Sequence, residues 1–297
     1  MLKSLAIVGA GRVGRALARR LREQGWRIGA VVTRSRNSSR NAVRFIGGGK
    51  PCAGISREVL AARVIIVATP DDAIAAAARQ ILEAFHRAGG DTLRGKVILH
   101  TSGALDAGVL KLLRQYGAAV GSMHPLQTFS GVGVPPLEGK YFVIEGDAAA
   151  VRTARTIVRA LGGKAANIAA GKKSLYHAAA ALAAGHALAV EEAAARLLMS
   201  AGMQRHEAVR ALLGLTRQVL ENFERLGSRA AWTGPLARGD YRVVSAHEQA
   251  LAGMPVEYVR AYEALNRLAA RVLATNTRST LARLDKIVVP DLLNLKK

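Results

Sequence analysis

The chain has 297 residues, half of them apolar, which suffices for a sizeable buried core and excludes global disorder. Its formal charge of +22 raises the question of a polyanionic partner, but the basic residues, mostly Arg, are scattered along the chain without interleaved aromatics. A solvated basic surface is the plainer reading, and nucleic acid is not the expected partner. Cys52 is the single cysteine, so neither an internal disulfide nor a cysteine-rich zinc motif can form, and the seven His show no metal-ligand spacing.

In chain order, "SLAIVG" (4–9) is an apolar run ending in glycine, and "RVGRALARRLREQG" (12–25) has helical periodicity up to Gly25. "RIGAVVT" (27–33) is the next strand candidate. "ARVIIVATP" (62–70) is a β-branched run halted by Pro70, followed by a helix over 71–88 that opens on two Asp. "KVILHTSG" (96–103) and "AAVGSMHP" (118–125) are further strand–turn units. "KYFVIEGD" (140–147), a helix over 148–161 and "KAANIA" (164–169) complete the alternation. Such alternation predicts an α/β fold, a doubly wound and mostly parallel sheet of the Rossmann type covering residues 1–168.

Beyond about residue 170 the period changes. Helices are expected near 173–201, 204–227, 240–252 and 254–280, with a weak strand pattern at 286–290. An all-α second domain over 169–297 follows, with Gly171 as the hinge candidate. The amino-terminal apolar stretch is too short for a signal peptide, and the run around 178–190 is broken by His186 and followed by Glu191 and Glu192. The expectation is a soluble, cytoplasmic protein without a membrane partner.

"GAGRVG" spaces Gly9, Gly11 and Gly14 as G-x-G-x-x-G between a strand and a helix, the context that gives the motif its meaning. Gly9 permits the tight turn, Gly11 lets a pyrophosphate approach the backbone, and Gly14 lets helix and strand pack closely. Ala10, Arg12 and Val13 complete the cofactor loop. An NAD site usually carries an acidic residue at the end of the second strand, yet no acid occurs between Glu23 and Glu58. Thr33, Arg34, Ser35 and Arg36 stand there instead, and hydroxyls with guanidinium groups suit a 2′-phosphate. NADP is therefore the expected cofactor. Ala68, Thr69 and Pro70 end the 62–70 strand at the edge of the same crevice.

Ligands of open parallel sheets bind beyond the carboxyl ends of the strands. "HTSGALD" puts His100, Thr101 and Ser102 at one such end, and "MHPLQTFSG" puts His124 at the next. Either His could protonate a heteroatom as hydride moves, and Ser102 could orient a carbonyl; each could equally cap a helix or bond a loop. The start of the helical half adds Lys173, Tyr176 and His177, with Lys173 and His177 on one helical face. Lys173 is a further candidate acid or base, or an ordinary basic helix start.

Together, "GAGRVG", "HTSGALDAGVL", "GSMHPLQTFS", "LEGKYFVIEGD", "KSLYHAAAALAA" and "TGPLARGD" (233–240) resemble a family of Rossmann-like, NADP-binding oxidoreductases whose helical C-terminal half is a domain of unknown function. The layout is also similar to pyrroline-5-carboxylate reductase, prephenate dehydrogenase and 6-phosphogluconate dehydrogenase. The resemblance implies an NADP-linked enzyme and a homodimer formed through the helical domain. It also implies that "TGPLARGD" lines a substrate site, with Thr233 and Arg238 on a carboxylate and Asp240 capping the next helix while holding Arg238; a capped helix connector with a merely local Arg238–Asp240 contact is the other reading. A departure is visible: Gly185 and His186 stand where an Asn is expected. Lys173 and His177 take the spacing of the Lys/Asn pair of 6-phosphogluconate-type sites, so that pair is not carried over.

The resulting expectation is an NADP(H)-dependent reductase or dehydrogenase of a small, anionic carbonyl or imine compound. His100, Ser102 and His124 would stabilise or protonate the heteroatom, with three His and Lys173 competing as the catalytic acid, and Tyr176, His177, Thr233, Arg238 and Asp240 would contact substrate. A deazaflavin as hydride partner stays open. So do an NADP-binding sensor or scaffold without chemistry, and a basic nucleic-acid-associated protein.

Overall fold

Residues 4–169 and 171–287 are described by the computed structural model. By internal contacts the chain divides into two compact units, Met1–Ala184 and Gly185–Lys297. The first is built on β1 (Ser4–Val8), α1 (Arg12–Glu23), β2 (Arg27–Val32), α2 (Arg36–Ile46), β3 (Lys50–Cys52), α3 (Arg57–Ala61), β4 (Val64–Val67) and α4 (Asp71–Arg87). It continues through β5 (Val97–His100), α5 (Lys111–Gln115), β6 (Ala119–Pro125), β7 (Tyr141–Gly146), α6 (Ala148–Ala160), β8 (Lys164–Asn167) and α7 (Lys173–Ala181).

The eight strands form one sheet in the order β3-β2-β1-β4-β5-β6-β7-β8. All pairs are parallel except β6 with β7. Both faces are covered, which explains the uninterrupted apolar runs: Leu5 and Ile7 face one core with Leu17, Leu21 and Phe142, and Ala6 and Val8 face the other with Ile74 and Ile81. The strand order reverses at β1, with β2 on one side and β4 on the other, so the crevice for a ligand opens between the carboxyl ends of β1 and β4. The Rossmann-type sheet followed by helices is as expected.

Three details differ from the sequence reading. The short β3 was not anticipated; its run "KPC" is brief and contains a Pro, which is tolerated because β3 is an edge strand. β7 runs against its neighbour because the connection from β6 to β7 stays at one end of the sheet instead of crossing over. The expected 254–280 helix is two: the first ends at Val272, and a new helix starts at Thr277 because the Asn276 side chain caps it by accepting from Ser279 N at 3.0 Å.

The second unit is helical. A π-helical turn at Leu182–His186 leads into α8 (Ala187–Ser200), followed by α9 (Arg205–Leu226), α10 (Ser228–Ala231), α11 (Pro235–Arg238), α12 (Tyr241–Leu251), α13 (Val256–Val272) and α14 (Thr277–Leu284). Its buried cluster is small, centred on Val244, Ala270 and Leu284. Leu215, Leu220, Phe223 and Leu226 of α9 are more than half exposed. The weak strand pattern at 286–290 runs out of the described residues after 287.

Candidate active site

Gly9 follows β1 with φ +91°, and a Cβ there would lie 2.6 Å from Thr69 N, so the β1 and β4 turns touch backbone to backbone. A Cβ on Gly14 would lie 2.2 Å from Gly9 O, which is why α1 can pack onto the turn only through glycine. Gly11, the N-cap of α1, has nothing within 4 Å of its would-be Cβ. An open, side-chain-free cradle thus faces the unpaired N–H groups of a helix start, the arrangement a pyrophosphate requires. Arg12 and Arg15 lean toward the β6–β7 loop, Arg15 Nη2 donating to Gly131 O at 2.9 Å. On the β4 side, Thr69 Oγ1 is buried and has no hydrogen-bond partner among the described residues, an orphan that a bound group would satisfy. The residues present therefore fit a dinucleotide.

At the end of β2, Thr33 Oγ1 donates to Ser35 O at 2.8 Å, and Ser35 Oγ caps α2 by accepting from Ser38 N at 3.1 Å. Those two hydroxyls build the turn. Arg34 and Arg36 are exposed and take part in no ion pair among the described residues. Two free guanidinium groups on a carboxylate-free loop are suited to a phosphate monoester.

The polar cluster lies at the ends of β5 and β6, with α7 packed over them. His100 is fully buried and fully engaged: its Nδ1 accepts from Ser102 N at 3.2 Å and its Nε2 donates to Asp106 O at 3.1 Å. Burial holds its pKa down at about 4, so the ring is neutral and has no nitrogen left for a substrate. Ser102 is similarly committed, its Oγ accepting from Ala104 N at 3.1 Å and Leu105 N at 3.0 Å. Both residues shape the turn that "HTSGALD" forms.

Lys173 enters from α7, 3% exposed, and its Nζ donates to Ser102 O at 2.8 Å and Ser122 Oγ at 3.1 Å. Desolvation lowers its pKa, opposed by the more distant Glu145, Asp71 and Asp106. His124 Nδ1 and Tyr176 Oη are 2.7 Å apart, and the His124 ring stands edge-on to both Tyr176 and His177 at 5.6 and 5.8 Å between centroids. Burial first, then repulsion from Lys173 and His177, holds His124 at about 4; burial also lifts the Tyr176 phenol to about 12. Near neutrality the pair is therefore a neutral imidazole and an intact phenol. If the imidazole donates Nδ1–H, the phenol proton is free to be given away; if the phenol donates, Nε2–H is the free donor.

Two contributors escaped the sequence reading. Ser122 pairs with His100 across the sheet and lies two residues before His124, on the same face of β6; a serine inside "AVGSMHP" was the available signal. Gly103 is the other: a Cβ there would lie 2.3 Å from His177 Cδ2 and 2.9 Å from His124 Nε2.

Thr233, Arg238 and Asp240 belong to the second unit. "TGPLARGD" is a single helical turn, α11, with Pro235 at its start, between Gly234 at φ +102° and Gly239 at φ +78°. Arg238 Nε donates to Asp240 Oδ2 at 3.2 Å as expected, but Asp240, although at the N-cap position of α12, makes no side-chain cap bond because its carboxylate is turned to Arg238.

A Rossmann-like domain model matches residues 2–125, and a domain of unknown function, DUF2520, matches residues 140–269. No curated protein matches the chain in sequence. Among solved structures, the chain is similar to a Bacteroides fragilis protein provisionally named an NADP oxidoreductase, at 22% identity and TM-score 0.71, covering 94% of this chain and 97% of that one. A reductive aminase from Aspergillus terreus, in complex with NADPH and ethyl-5-oxohexanoate, is 21% identical with TM-score 0.63 over 91% and 94% of the two chains. Plasmodium falciparum pyrroline carboxylate reductase with NADP bound is 14% identical with TM-score 0.56 over 95% and 96%. The chain thus matches a Rossmann-like domain model and then the DUF2520 model, and over both it shares the fold of structures named as NADP oxidoreductases.

Proposed function

We propose that the protein is an NADP(H)-dependent oxidoreductase acting on a small carbonyl or imine compound, or on the corresponding alcohol or amine. The observation that carries this reading is one unit that combines a fitting dinucleotide cradle at the β1/β4 crevice with a buried polar cluster two and three strands along the same sheet edge. At about 4.8 Å per strand that separation is roughly 10–14 Å, within the span of an extended dinucleotide.

The cofactor's nicotinamide would supply or accept a hydride at the substrate carbon. Gly9, Ala10, Gly11, Arg12, Val13 and Gly14 would hold the pyrophosphate; Arg34 and Arg36, on the turn built by Thr33 and Ser35, would hold the 2′-phosphate; and Ala68, Thr69 and Pro70 would line the crevice. Tyr176 Oη is the proton donor to the substrate heteroatom in this reading, resupplied through His124 Nδ1. Lys173 keeps the Ser102 carbonyl and Ser122 in place and leaves one N–H for an anionic substrate group, while His100 and Ser102 position the turn. His177 closes the edge of the cluster against His124. The similarity to a reductive aminase favours the imine, which needs such a proton as hydride arrives.

Residues 169–297 form the substrate and dimerisation domain in this proposal, with Thr233 and Arg238 contacting a substrate carboxylate and Asp240 holding Arg238. Its exposed apolar surface on α9 supports a homodimer. Among the described residues no helix is long and apolar enough to cross a membrane.

The test is NADPH oxidation with a panel of small ketones, keto acids and ketone–amine mixtures. Turnover should appear and fall about 100-fold in Tyr176→Phe, with NADPH affinity unchanged. NADPH binding without turnover across the panel would instead indicate a non-catalytic binder.

A further inference from the structure

A cavity of about 450 Å³ opens at the opposite edge of the sheet from the dinucleotide cradle. It lies at the amino ends of the central strands: Arg63 and Lys96 immediately precede β4 and β5, Val97 opens β5, and Ala119 opens β6. Arg152 projects from α6, which supplies another wall. His100 and His124 lie at the far ends of β5 and β6, about 10 and 17 Å away at 3.3 Å per residue, so this is a separate place in the fold.

Its chemistry is one-sided. Among the described residues three cations, Arg63, Lys96 and Arg152, line it and no carboxylate does. None of the three takes part in an ion pair among the described residues. The nearby Asp147 is committed elsewhere, bound by Arg114 at 3.1 Å and by Val120 N at 2.8 Å. Lys96 is partly buried, anchored by donating to Leu60 O and Ala62 O, with one N–H still to satisfy; burial without a counter-charge pushes its ammonium below the usual range. The hydroxyl protons of Thr153 and Thr156 are spent on the helix carbonyls of Ala149 and Arg152, so recognition falls to the cations. Gly95 and Gly117 add backbone without side chains, and nothing lies within 4 Å of a would-be Cβ on Gly95, which leaves the mouth open there.

We propose that this cavity is a second ligand site, which takes a small polyanion bearing phosphate or carboxylate groups. Its volume is that of an ordinary metabolite pocket. Clustered cations without protein acids are the recognition chemistry for such groups.

The experiment is calorimetric titration of the full chain at low salt with two probes, inorganic pyrophosphate and citrate, which separate a phosphate from a carboxylate preference. Arg63→Ala/Arg152→Ala is the test variant; both side chains are exposed, and its thermal melt confirms folding. Gly11→Ala/Arg34→Ala/Arg36→Ala is the control, since anions could also enter the dinucleotide cradle and the 2′-phosphate loop. At least one probe should bind saturably to wild type and to the control. The test variant should lose about ten- to thirty-fold, the loss expected for two solvent-facing cations at roughly 1 kcal/mol each. Absence of saturable binding by both probes would overturn the proposal, as would a loss confined to the control. NADPH titrated alongside reports separately on the cradle, so either site can fail without the other.

Discussion

Gly11 and Gly14 sit three residues apart in one motif, yet alanine should act on them in opposite ways. At Gly14 the added methyl would lie 2.2 Å from Gly9 O and 3.1 Å from Ala68 Cβ, so α1 must move off the sheet by more than an ångström. Overpacking of that kind, against backbone, costs about 2–3 kcal/mol, the upper part of the usual range, offset by roughly 0.8–1 kcal/mol of helix propensity. A net loss of about 1–2 kcal/mol lowers Tm by about 2–8 °C for a domain of this size. At Gly11 φ is −70°, which alanine adopts freely, and nothing lies within 4 Å. The weaker N-cap and the lower unfolded-state entropy are each under about 1 kcal/mol and oppose one another, so Tm should stay within about 2 °C. The methyl would nevertheless occupy the cradle and weaken NADPH by at least about tenfold, or 1.4 kcal/mol. Differential scanning fluorimetry and NADPH fluorescence titration read the two effects separately. If Gly11→Ala binds NADPH like wild type, the reasoning about the cradle is wrong; if Gly14→Ala melts like wild type, the packing argument is wrong.

Acid should destabilise the first unit in a defined window. His100 and His124 are held at about 4 against 6.5 in the unfolded chain, so their contribution is complete above about pH 6.5 and lost as pH falls toward 4. For His100 alone it is about 3 kcal/mol, and urea unfolding at pH 7.5 and 5 should reveal the slope, which His100→Asn flattens. Lys173→Met leaves Ser102 O and Ser122 Oγ without their donor and should cost about 1–3 kcal/mol in the same assay. Because burial lowers the folded pKa of Lys173, wild-type stability should rise with pH up to about 10.5, and that rise should shrink in the variant. Phe142→Ala removes a fully buried ring and should cost about 3–5 kcal/mol, measured by the same denaturation.

The parts of this molecule with a strong local signal were legible in the sequence. "GAGRVG" after an apolar strand identified the nucleotide end, and buried parallel strands announced themselves as β-branched runs. Roles set by non-local contact were not. His100 reads like a catalytic histidine until both its nitrogens are seen bonded to the backbone of its own turn. The pairing of His124 with Tyr176 spans 52 residues, and no spacing rule relates them. Ser122 lacked a motif, and the amino-end cavity gathers Arg63, Lys96 and Arg152 from three segments with no pattern in common. Helix ends behaved likewise: the break at Asn276 depends on one side-chain cap inside a sequence that otherwise keeps helical character.

Fluorescence titration of NADPH and NADH, on wild type and on Arg34→Ala/Arg36→Ala, tests the central claim most directly. The free guanidinium pair predicts NADPH binding tighter than NADH by at least about tenfold, the low end for a single charge-assisted hydrogen bond, with the preference lost in the variant. Equal affinity for the two nucleotides would contradict the 2′-phosphate site, and binding of neither would contradict the oxidoreductase account as a whole.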